Sequence, residues 1–341
     1  MASSLATPVQ VRELLHSVDY LLIDLDGVVW SGETIIPQVP ETLAYLRSIG
    51  KQLRFVSNTI LLKRSDLVNH FESLGIHGVH PHEIYTAAYT TALYVQERFG
   101  SAEDEGRRVH GNVFVFGPVG LHDEIQAVLA PGYSTYGSEL TSIPYSPDMV
   151  ARGLDEPLFP APRHAREARP ISLKALHPVA VVVGMDYAMN MTELAAAVAL
   201  LQTTAAAFVA TNPDPADPAG PQRVLLPSSG AILAAAVTAL GRQPDVLCGK
   251  PSATMGHLLL EREAAEGKSV SPQRTVMIGD RLMTDIQFGK AIGARTALVL
   301  SGAQKLEHLD TLVQEENKTA ELPDLVLRSI ADFLEVAERK D

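Results

Sequence analysis

Short apolar runs that end at turn residues alternate along this chain with longer segments of helical periodicity. The first run, Tyr20 to Ile23, passes directly into Asp24-Leu25-Asp26-Gly27, and its unbroken apolarity is typical of a strand buried on both faces. Alternating strand and helix patterns are typical of parallel α/β proteins, so we predict parallel sheets covered by helices. The other predicted strands are 53–56, 113–116, 179–183, 208–210, 246–248, 275–278, 297–300 and 325–327.

Size and charge exclude several classes of protein. The chain has 341 residues, enough for two domains at roughly 150 residues each. Its 40 acidic and 28 basic residues give a net charge of −12, which argues against non-specific binding to nucleic acid or to an anionic membrane. With Cys248 as its one cysteine and no secretory signal or apolar span, we expect a cytoplasmic protein with neither nucleic acid nor membrane as a partner.

One segment interrupts the alternation of strands and helices. Residues 134–176 contain six prolines and show neither helical nor strand periodicity. Structureless segments of this length in a folded domain are usually either functional or disordered. We favour a mobile insertion over a loop that shapes a substrate site.

Pairs of carboxylates follow two of the predicted strands. Asp24 and Asp26 follow the first strand, and alternation along a strand makes both project from its carboxyl end, where doubly wound sheets bind ligands. Asp280 and Asp285 follow the strand at 275–278. Each motif alone could be a solvated turn, since Asp-Gly is a common turn dipeptide. Two such clusters would repel each other unless a cation joined them, and Mg²⁺ prefers such oxygen ligands.

Two further strand ends offer groups that complement a phosphate. Ser57 and Asn58 supply a hydroxyl and an amide after the strand at 53–56. Lys250 follows the apolar run at 246–248, where a fixed ammonium can meet phosphate oxygens. The glycine spacing of a Walker A motif is absent. These residues predict a phosphate site beside a metal, and they leave open which carboxylate attacks.

The order of these four motifs resembles the haloacid dehalogenase-like phosphatases. The closer resemblance is to the branch with a large C2-type cap between the second and third motifs, which includes p-nitrophenylphosphatases, phosphoglycolate phosphatases, pyridoxal phosphate phosphatases and NagD. It covers nearly the whole chain outside 134–176. The motifs and cap signatures that carry it are Asp24-Leu25-Asp26-Gly27-Val28-Val29-Trp30, Ser57-Asn58-Thr59, Val183-Gly184-Met185-Asp186, Ala210-Thr211-Asn212-Pro213-Asp214, Gly249-Lys250-Pro251 and Gly279-Asp280-Arg281 with Asp285.

The resemblance implies a Rossmann-like doubly wound parallel-sheet core, formed by residues 1–85 and 246–341. An α/β cap at 86–245 is inserted between its second and third motifs. By similarity, Asp24 would be the nucleophile that forms an aspartyl-phosphate, and Asp26 would be the general acid and base.

The same resemblance implies the ligands of the metal and of the phosphate. Mg²⁺ would be held by Asp24, Asp280 and the backbone carbonyl of Asp26. Asp285 would orient Lys250 or metal-bound water. Ser57, Asn58 and Lys250 would bind the transferring phosphoryl group.

Substrate choice is expected to lie in the cap, at Asp186, Tyr187, Asn212 and Asp214. We expect a small phosphorylated metabolite, phosphoglycolate-like or broad, with p-nitrophenyl phosphate as an artificial substrate. A pyridoxal phosphate or sugar phosphatase is the alternative, although Asp217 stands where pyridoxal phosphate phosphatases carry histidine. A phosphoprotein phosphatase and a non-catalytic interaction protein are the remaining alternatives, and the resemblance also implies a homodimer formed through the cap.

Overall fold

The computed structural model describes residues 4–104, 106–163, 169–219, 224–268, 270–314 and 321–338. The chain divides into two units. The first unit comprises Met1–Ser57, Arg64–Tyr85 and Lys250–Asp341, and the second comprises Asn58–Lys63 and Thr86–Gly249. In the described part of the chain, no helix is long and apolar enough to cross a membrane.

Strands and helices alternate along the chain, as their apolar patterns predict. The strands are β1 (Tyr20–Ile23), β2 (Trp30–Ser31), β3 (Thr34–Ile35), β4 (Gln52–Ser57), β5 (Ile84–Thr86), β6 (Asn112–Phe116), β7 (Thr135–Tyr136), β8 (Pro178–Val183), β9 (Ala207–Ala210), β10 (Ala216–Ala219), β11 (Val224–Pro227), β12 (Val246–Leu247), β13 (Thr275–Gly279), β14 (Arg295–Val299) and β15 (Leu325–Leu327). The α-helices are α1 (Pro8–Ser17), α2 (Val39–Ser48), α3 (Arg64–Ser73), α4 (Ala87–Phe99), α5 (Val119–Gln126), α6 (Pro147–Arg152), α7 (Met191–Thr203), α8 (Ser229–Leu240), α9 (Thr254–Ala265), α10 (Gln287–Ala291), α11 (Leu306–Gln314) and α12 (Asp332–Glu338).

The first unit is built on a six-stranded sheet in the order β15-β14-β13-β1-β4-β5. β1 runs parallel to both of its neighbours, and Ile23 at its end lies opposite Ile278 of β13 and Phe55 of β4. These three side chains are buried in one apolar cluster, and each contributes on the order of 2 kcal/mol by leaving water. The apolar runs therefore place the ends of β4, β1 and β13 side by side.

The second unit is built on a five-stranded sheet in the order β12-β9-β8-β6-β7, and all of its pairs are parallel. A separate antiparallel pair joins β10 to β11. The predicted fold class, α/β with parallel sheets, is confirmed by both units.

The structure differs from the predicted start of the second core segment at residue 246. Val246 and Leu247 form β12, which pairs with Val209 and Ala210 of β9 in the sheet of the second unit. The chain therefore enters the first unit at Lys250. A two-residue strand is too short for its sequence to indicate which sheet it joins.

The prediction that residues 134–176 form a mobile insertion is wrong for the described residues of that segment, 134–163 and 169–176. They contain β7 and α6, and Phe159 exchanges backbone hydrogen bonds with Ile171 at 3.1 and 2.8 Å. Tyr136, Leu140 and Phe159 are fully buried in the core of the second unit. These apolar residues stand among prolines at irregular spacing, which is why periodicity did not reveal them.

Glu193, in the first turn of α7, is a buried carboxyl group of the second unit. Its side chain is fully buried, and neither carboxyl oxygen has a hydrogen-bond partner among the described residues. Burial, together with the nearby carboxylates of Asp186 and Glu139, raises the pKa of Glu193 to about 9. The folded protein therefore keeps Glu193 protonated at neutral pH.

We predict that Glu193→Gln removes a pH dependence of stability. Between pH 5 and pH 8 the unfolded chain ionises Glu193 while the folded protein keeps the proton, so wild-type stability falls as the pH rises. Relative to the variant, the loss approaches about 1.4 kcal/mol per pH unit. Urea unfolding at several pH values measures this difference. Glu97→Gln, at an exposed position in α4, is the control, and a Glu193→Gln curve that runs parallel to the wild-type curve would contradict the prediction.

Candidate active site

Three neighbouring strands deliver polar groups to one edge of the first unit's sheet. Asp24 follows β1, Asp280 follows β13, and Ser57 is the last residue of β4. Because β4, β1 and β13 are adjacent and parallel, their carboxyl ends meet at the same edge. All three side chains are buried.

Asp24, Asp280 and Asp285 form a cluster of carboxylates at this edge. Each offers one oxygen, and these oxygens lie within 4.8 Å of one another. In the described part of the chain, this is the only group of three or more acidic, histidine or cysteine side chains with such spacing. The sequence-based prediction named all three residues for one site.

Lys250 is the cation that the structure places against these carboxylates. Its Nζ donates to Asp24 Oδ1 at 2.6 Å, to Asp285 Oδ1 at 2.6 Å and to the backbone carbonyl of Val56 at 3.0 Å. Burial alone would lower the pKa of Lys250, but Asp24 and Asp285 outweigh it and hold the pKa above its ordinary value. The ammonium is therefore charged and is fixed by three acceptors.

The site nevertheless has less positive charge than its three carboxylates need for neutrality. Burial first, and then the neighbouring carboxylate of Asp285, raise the pKa of Asp24 well above its ordinary range and that of Asp280 to about 6. Asp280 Oδ2 accepts from the backbone N–H of Ala303 at 2.6 Å, while its buried Oδ1 has no hydrogen-bond partner among the described residues. An orphaned carboxylate oxygen within a cluster of oxygen donors fits a hard divalent cation such as Mg²⁺.

Two glycines leave room for the Asp280 carboxylate. A β-carbon at Gly27 or at Gly302 would collide with it. Gly27 also has φ +85°, a conformation that favours glycine. The glycine of the Asp-Leu-Asp-Gly motif therefore serves both the turn and the carboxylate.

Asp285 is held on both carboxylate oxygens. Oδ1 accepts from Lys250, and Oδ2 accepts from the backbone N–H of Arg281 at 3.0 Å. This geometry suits a residue that orients Lys250.

Asp26 is not a member of the three-carboxylate cluster. β1 ends at Ile23, and the chain then turns, so that Asp24 is buried while Asp26 is exposed. The indole N–H of Trp30 donates to Asp26 Oδ1 at 3.1 Å. Alternation applies to residues within a strand, whereas Asp24 and Asp26 both follow the end of β1 and differ in burial. That the two side chains project from the same end of the strand stays a prediction.

The predicted phosphate ligand Asn58 belongs to the second unit, with two of the predicted cap residues. Its side-chain amide donates to Asp214 Oδ2 at 2.9 Å, and its backbone carbonyl accepts from the amide of Asn212 at 3.0 Å. Ser57, its neighbour in the chain, belongs to the first unit. The predicted pair Ser57-Asn58 thus spans a unit boundary.

The other predicted cap residues follow β8 in the second unit. Asp186 Oδ1 accepts from the backbone N–H of Ala188 at 2.8 Å, and Tyr187 is 73% exposed. Asn212 and Asp214 follow β9, which pairs with β8. All four residues therefore lie beyond the carboxyl ends of adjacent strands.

Sequence reasoning missed several groups at the site. The carbonyl of Val56 and the N–H groups of Ala303 and Arg281 are backbone atoms. Almost every residue type carries such atoms, so the sequence does not indicate which of them lie at the site. Trp30 stands inside the first motif, yet only its hydrogen bond to Asp26 gives it a part in the site.

Comparison with known proteins agrees with this geometry. A family model described as haloacid dehalogenase-like hydrolase matches residues 21–129, and a second model described as HAD hydrolase-like matches residues 247–333. The chain is 33% identical to glycerol-3-phosphate phosphatase of Mus musculus, over 95% of this chain and 92% of that protein. It is 32% identical to 4-nitrophenylphosphatase of Schizosaccharomyces pombe, over 99% of this chain and 100% of that protein.

Among solved structures, p-nitrophenyl phosphatase from Archaeoglobus fulgidus matches with a TM-score of 0.71 and 26% identity, over 94% of this chain and 99% of that one. The resemblance that rests on the four motifs is therefore confirmed along nearly the full length of the chain. The chain belongs to the haloacid dehalogenase-like hydrolases.

Proposed function

We propose that this protein is a Mg²⁺-dependent phosphatase that hydrolyses monoesters of small phosphorylated metabolites, with the first unit as its catalytic core and the second as its cap. The similarity to two phosphatases over nearly the whole chain supports hydrolysis of a phosphate ester. The observation that carries the site is the buried cluster of Asp24, Asp280 and Asp285 around one fixed ammonium.

In the first step, a carboxylate oxygen of Asp24 forms a bond to phosphorus and the bond from phosphorus to the substrate alcohol breaks. Asp26 gives the leaving alkoxide a proton. In the second step, water attacks the aspartyl-phosphate, Asp26 takes the proton of that water, and Asp24 is released with inorganic phosphate. Two displacements replace one difficult hydrolysis.

The negative charge on the transferring phosphoryl group needs neutralisation. Lys250 supplies one fixed positive charge, and Ser57 and Asn58 supply hydrogen-bond donors. Asp24, Asp280 and the backbone carbonyl of Asp26 would hold Mg²⁺, with Asp285 keeping Lys250 in place. When bound, the metal offsets charge on the phosphoryl oxygens.

For the substrate, the names of the relatives favour a small alkyl phosphate, with an aryl phosphate as an artificial substrate. We propose that Asp186, Tyr187, Asn212 and Asp214 select it. A pyridoxal phosphate or sugar phosphate remains the alternative. Asp217, which accepts from the hydroxyl of Ser228 at 2.5 Å, adds a carboxylate that disfavours pyridoxal phosphate.

We predict that three-carbon and two-carbon phosphates are better substrates than pyridoxal phosphate or hexose phosphates. Phosphate release from glycerol 3-phosphate, phosphoglycolate, glucose 6-phosphate and pyridoxal phosphate, compared as kcat/KM, measures this preference. An Asp217→His variant that gains on pyridoxal phosphate alone would support the assignment of that position. A wild-type preference for pyridoxal phosphate would overturn the proposed substrate class.

We predict that Asp24→Asn abolishes phosphate release from every substrate of that panel. An amide is a poor nucleophile, so the loss should be on the order of 10³-fold or more. Asp310→Asn, at an exposed position in α11, is the matched control and should retain wild-type rates. Rates within about tenfold of wild type would show that Asp24 is not the nucleophile, since that role is worth far more.

We predict that Mg²⁺ raises the melting temperature of the wild-type protein and that Asp280→Asn removes most of this shift. Binding at 100 times the dissociation constant stabilises a folded protein by about 2.7 kcal/mol. Melting curves with Mg²⁺ and with EDTA measure the effect without reference to activity. Asp310→Asn should keep the wild-type shift, and an unchanged shift in Asp280→Asn would place the metal elsewhere.

A further inference from the structure

The turn that carries Asp26 is closed by Trp30. The backbone N–H of Gly27 donates to the carbonyl of Trp30 at 2.6 Å, and the N–H of Val29 donates to the carbonyl of Leu25 at 2.8 Å. Above this backbone frame, the indole N–H of Trp30 donates to Asp26 Oδ1 at 3.1 Å. The exposed carboxylate of Asp26 is thus hydrogen-bonded to the buried ring of Trp30.

The indole ring itself is fixed by aromatic contacts. Its centroid lies 5.0 Å from that of Phe71 and 4.8 Å from that of His70, both on α3 and both in edge-to-face geometry. Phe71 in turn packs on Phe55 of β4 at 4.7 Å. Trp30 is 4% exposed, so its N–H direction is set by the core of the first unit.

The chemistry of this bond distinguishes the two oxygens of Asp26. An indole N–H donates and does not accept. In a protonated carboxyl group the carbonyl oxygen is the stronger acceptor. A donor fixed on Oδ1 therefore favours the proton on Oδ2 and holds that oxygen at one position.

We propose that Trp30 is a positioning residue that directs the proton-bearing oxygen of Asp26 toward the leaving group. This inference rests on the proposed function, in which Asp26 protonates the leaving alcohol. The positioning role of Trp30 is separate from the roles of Asp24, Lys250 and Asp280, which act on the phosphoryl group. Loss of the indole N–H should therefore affect substrates according to how much their leaving group needs a proton.

Two classes of substrate differ in that need. An alkoxide is a strong base and leaves from phosphorus only as it is protonated. A p-nitrophenolate spreads its charge over the ring and leaves without a proton. The value of kcat/KM reports the first displacement, in which the leaving group departs, and it is the quantity to compare.

The test is Trp30→Phe, which keeps an aromatic ring against Phe71 and removes the N–H. We expect kcat/KM for the alkyl phosphate that the wild type hydrolyses fastest to fall about tenfold, which is less than the 10²–10⁴-fold that a whole general acid contributes. For p-nitrophenyl phosphate we expect a fall of less than about threefold, because its leaving group needs little acid catalysis. The ratio of the two values, taken on one preparation, does not depend on the fraction of protein that is folded.

Two further variants separate positioning from packing. Phe71→Leu disturbs the same aromatic cluster without touching the indole N–H, and it should change both substrates by the same factor. In an Asp26→Asn background, Trp30→Phe should leave the ratio unchanged.

An equal fall for both substrates in Trp30→Phe, or an unchanged ratio, would overturn the positioning role. A ratio change in Phe71→Leu as large as that in Trp30→Phe would also overturn it. Failure of the wild type to hydrolyse any phosphate ester would instead overturn the proposed function.

Discussion

The candidate site depends on the ion pairs and hydrogen bonds made by the ammonium of Lys250. This ammonium joins the first residue after β1, a carboxylate from the chain after β13 and a backbone carbonyl of β4. Three separate segments are thus held by one charge. Without that charge, Asp24 and Asp285 would face each other in a buried site, and such like-charge pairs are stable only when one of them takes up a proton.

The order of strands makes this convergence possible. β1 lies between β4 and β13, and all three run in the same direction. Their apolar side chains set the register, as the pairing of Ile23 with Ile278 illustrates. The same apolar residues therefore stabilise the core of the first unit and place its polar groups at one edge of the sheet.

This relation explains how far the sequence could predict the site. Asp24, Asp280, Asp285 and Lys250 could be named because each follows an apolar run that is recognisable without a structure. Asp26 shows the limit of that reasoning, because alternation predicts side-chain direction only within a strand, and β1 ends at Ile23. Backbone donors and acceptors such as Ala303 N–H and Val56 carbonyl had no signal at all.

The fold class could be predicted for the same reason, and the prediction failed where no long apolar run was present. Long apolar runs such as β8 and β13 gave the parallel α/β class. β12 is two residues long, and its sheet is decided by which neighbouring strand it meets. In residues 134–176 the buried Tyr136, Leu140 and Phe159 are held by tertiary packing rather than by a repeating pattern.

Two groups of buried charges in the first unit show what distinguishes a functional site from a stabilising contact. Arg54 of β4 and Glu263 of α9 are nearly fully buried and meet in a two-point ion pair, to which Tyr85 adds a hydrogen bond at 3.3 Å. Lys268 also contacts Glu263 at 3.2 Å and Glu266 at 2.7 Å, so two cations meet two carboxylates and the buried Glu263 is fully paired.

The charges of the carboxylate cluster, in contrast, are not balanced. The cluster has three carboxylates for one ammonium and a buried Asp280 oxygen that no described residue satisfies. Under the proposed function a divalent cation would bind this oxygen, whereas a side chain paired with Asp280 at that point would block it.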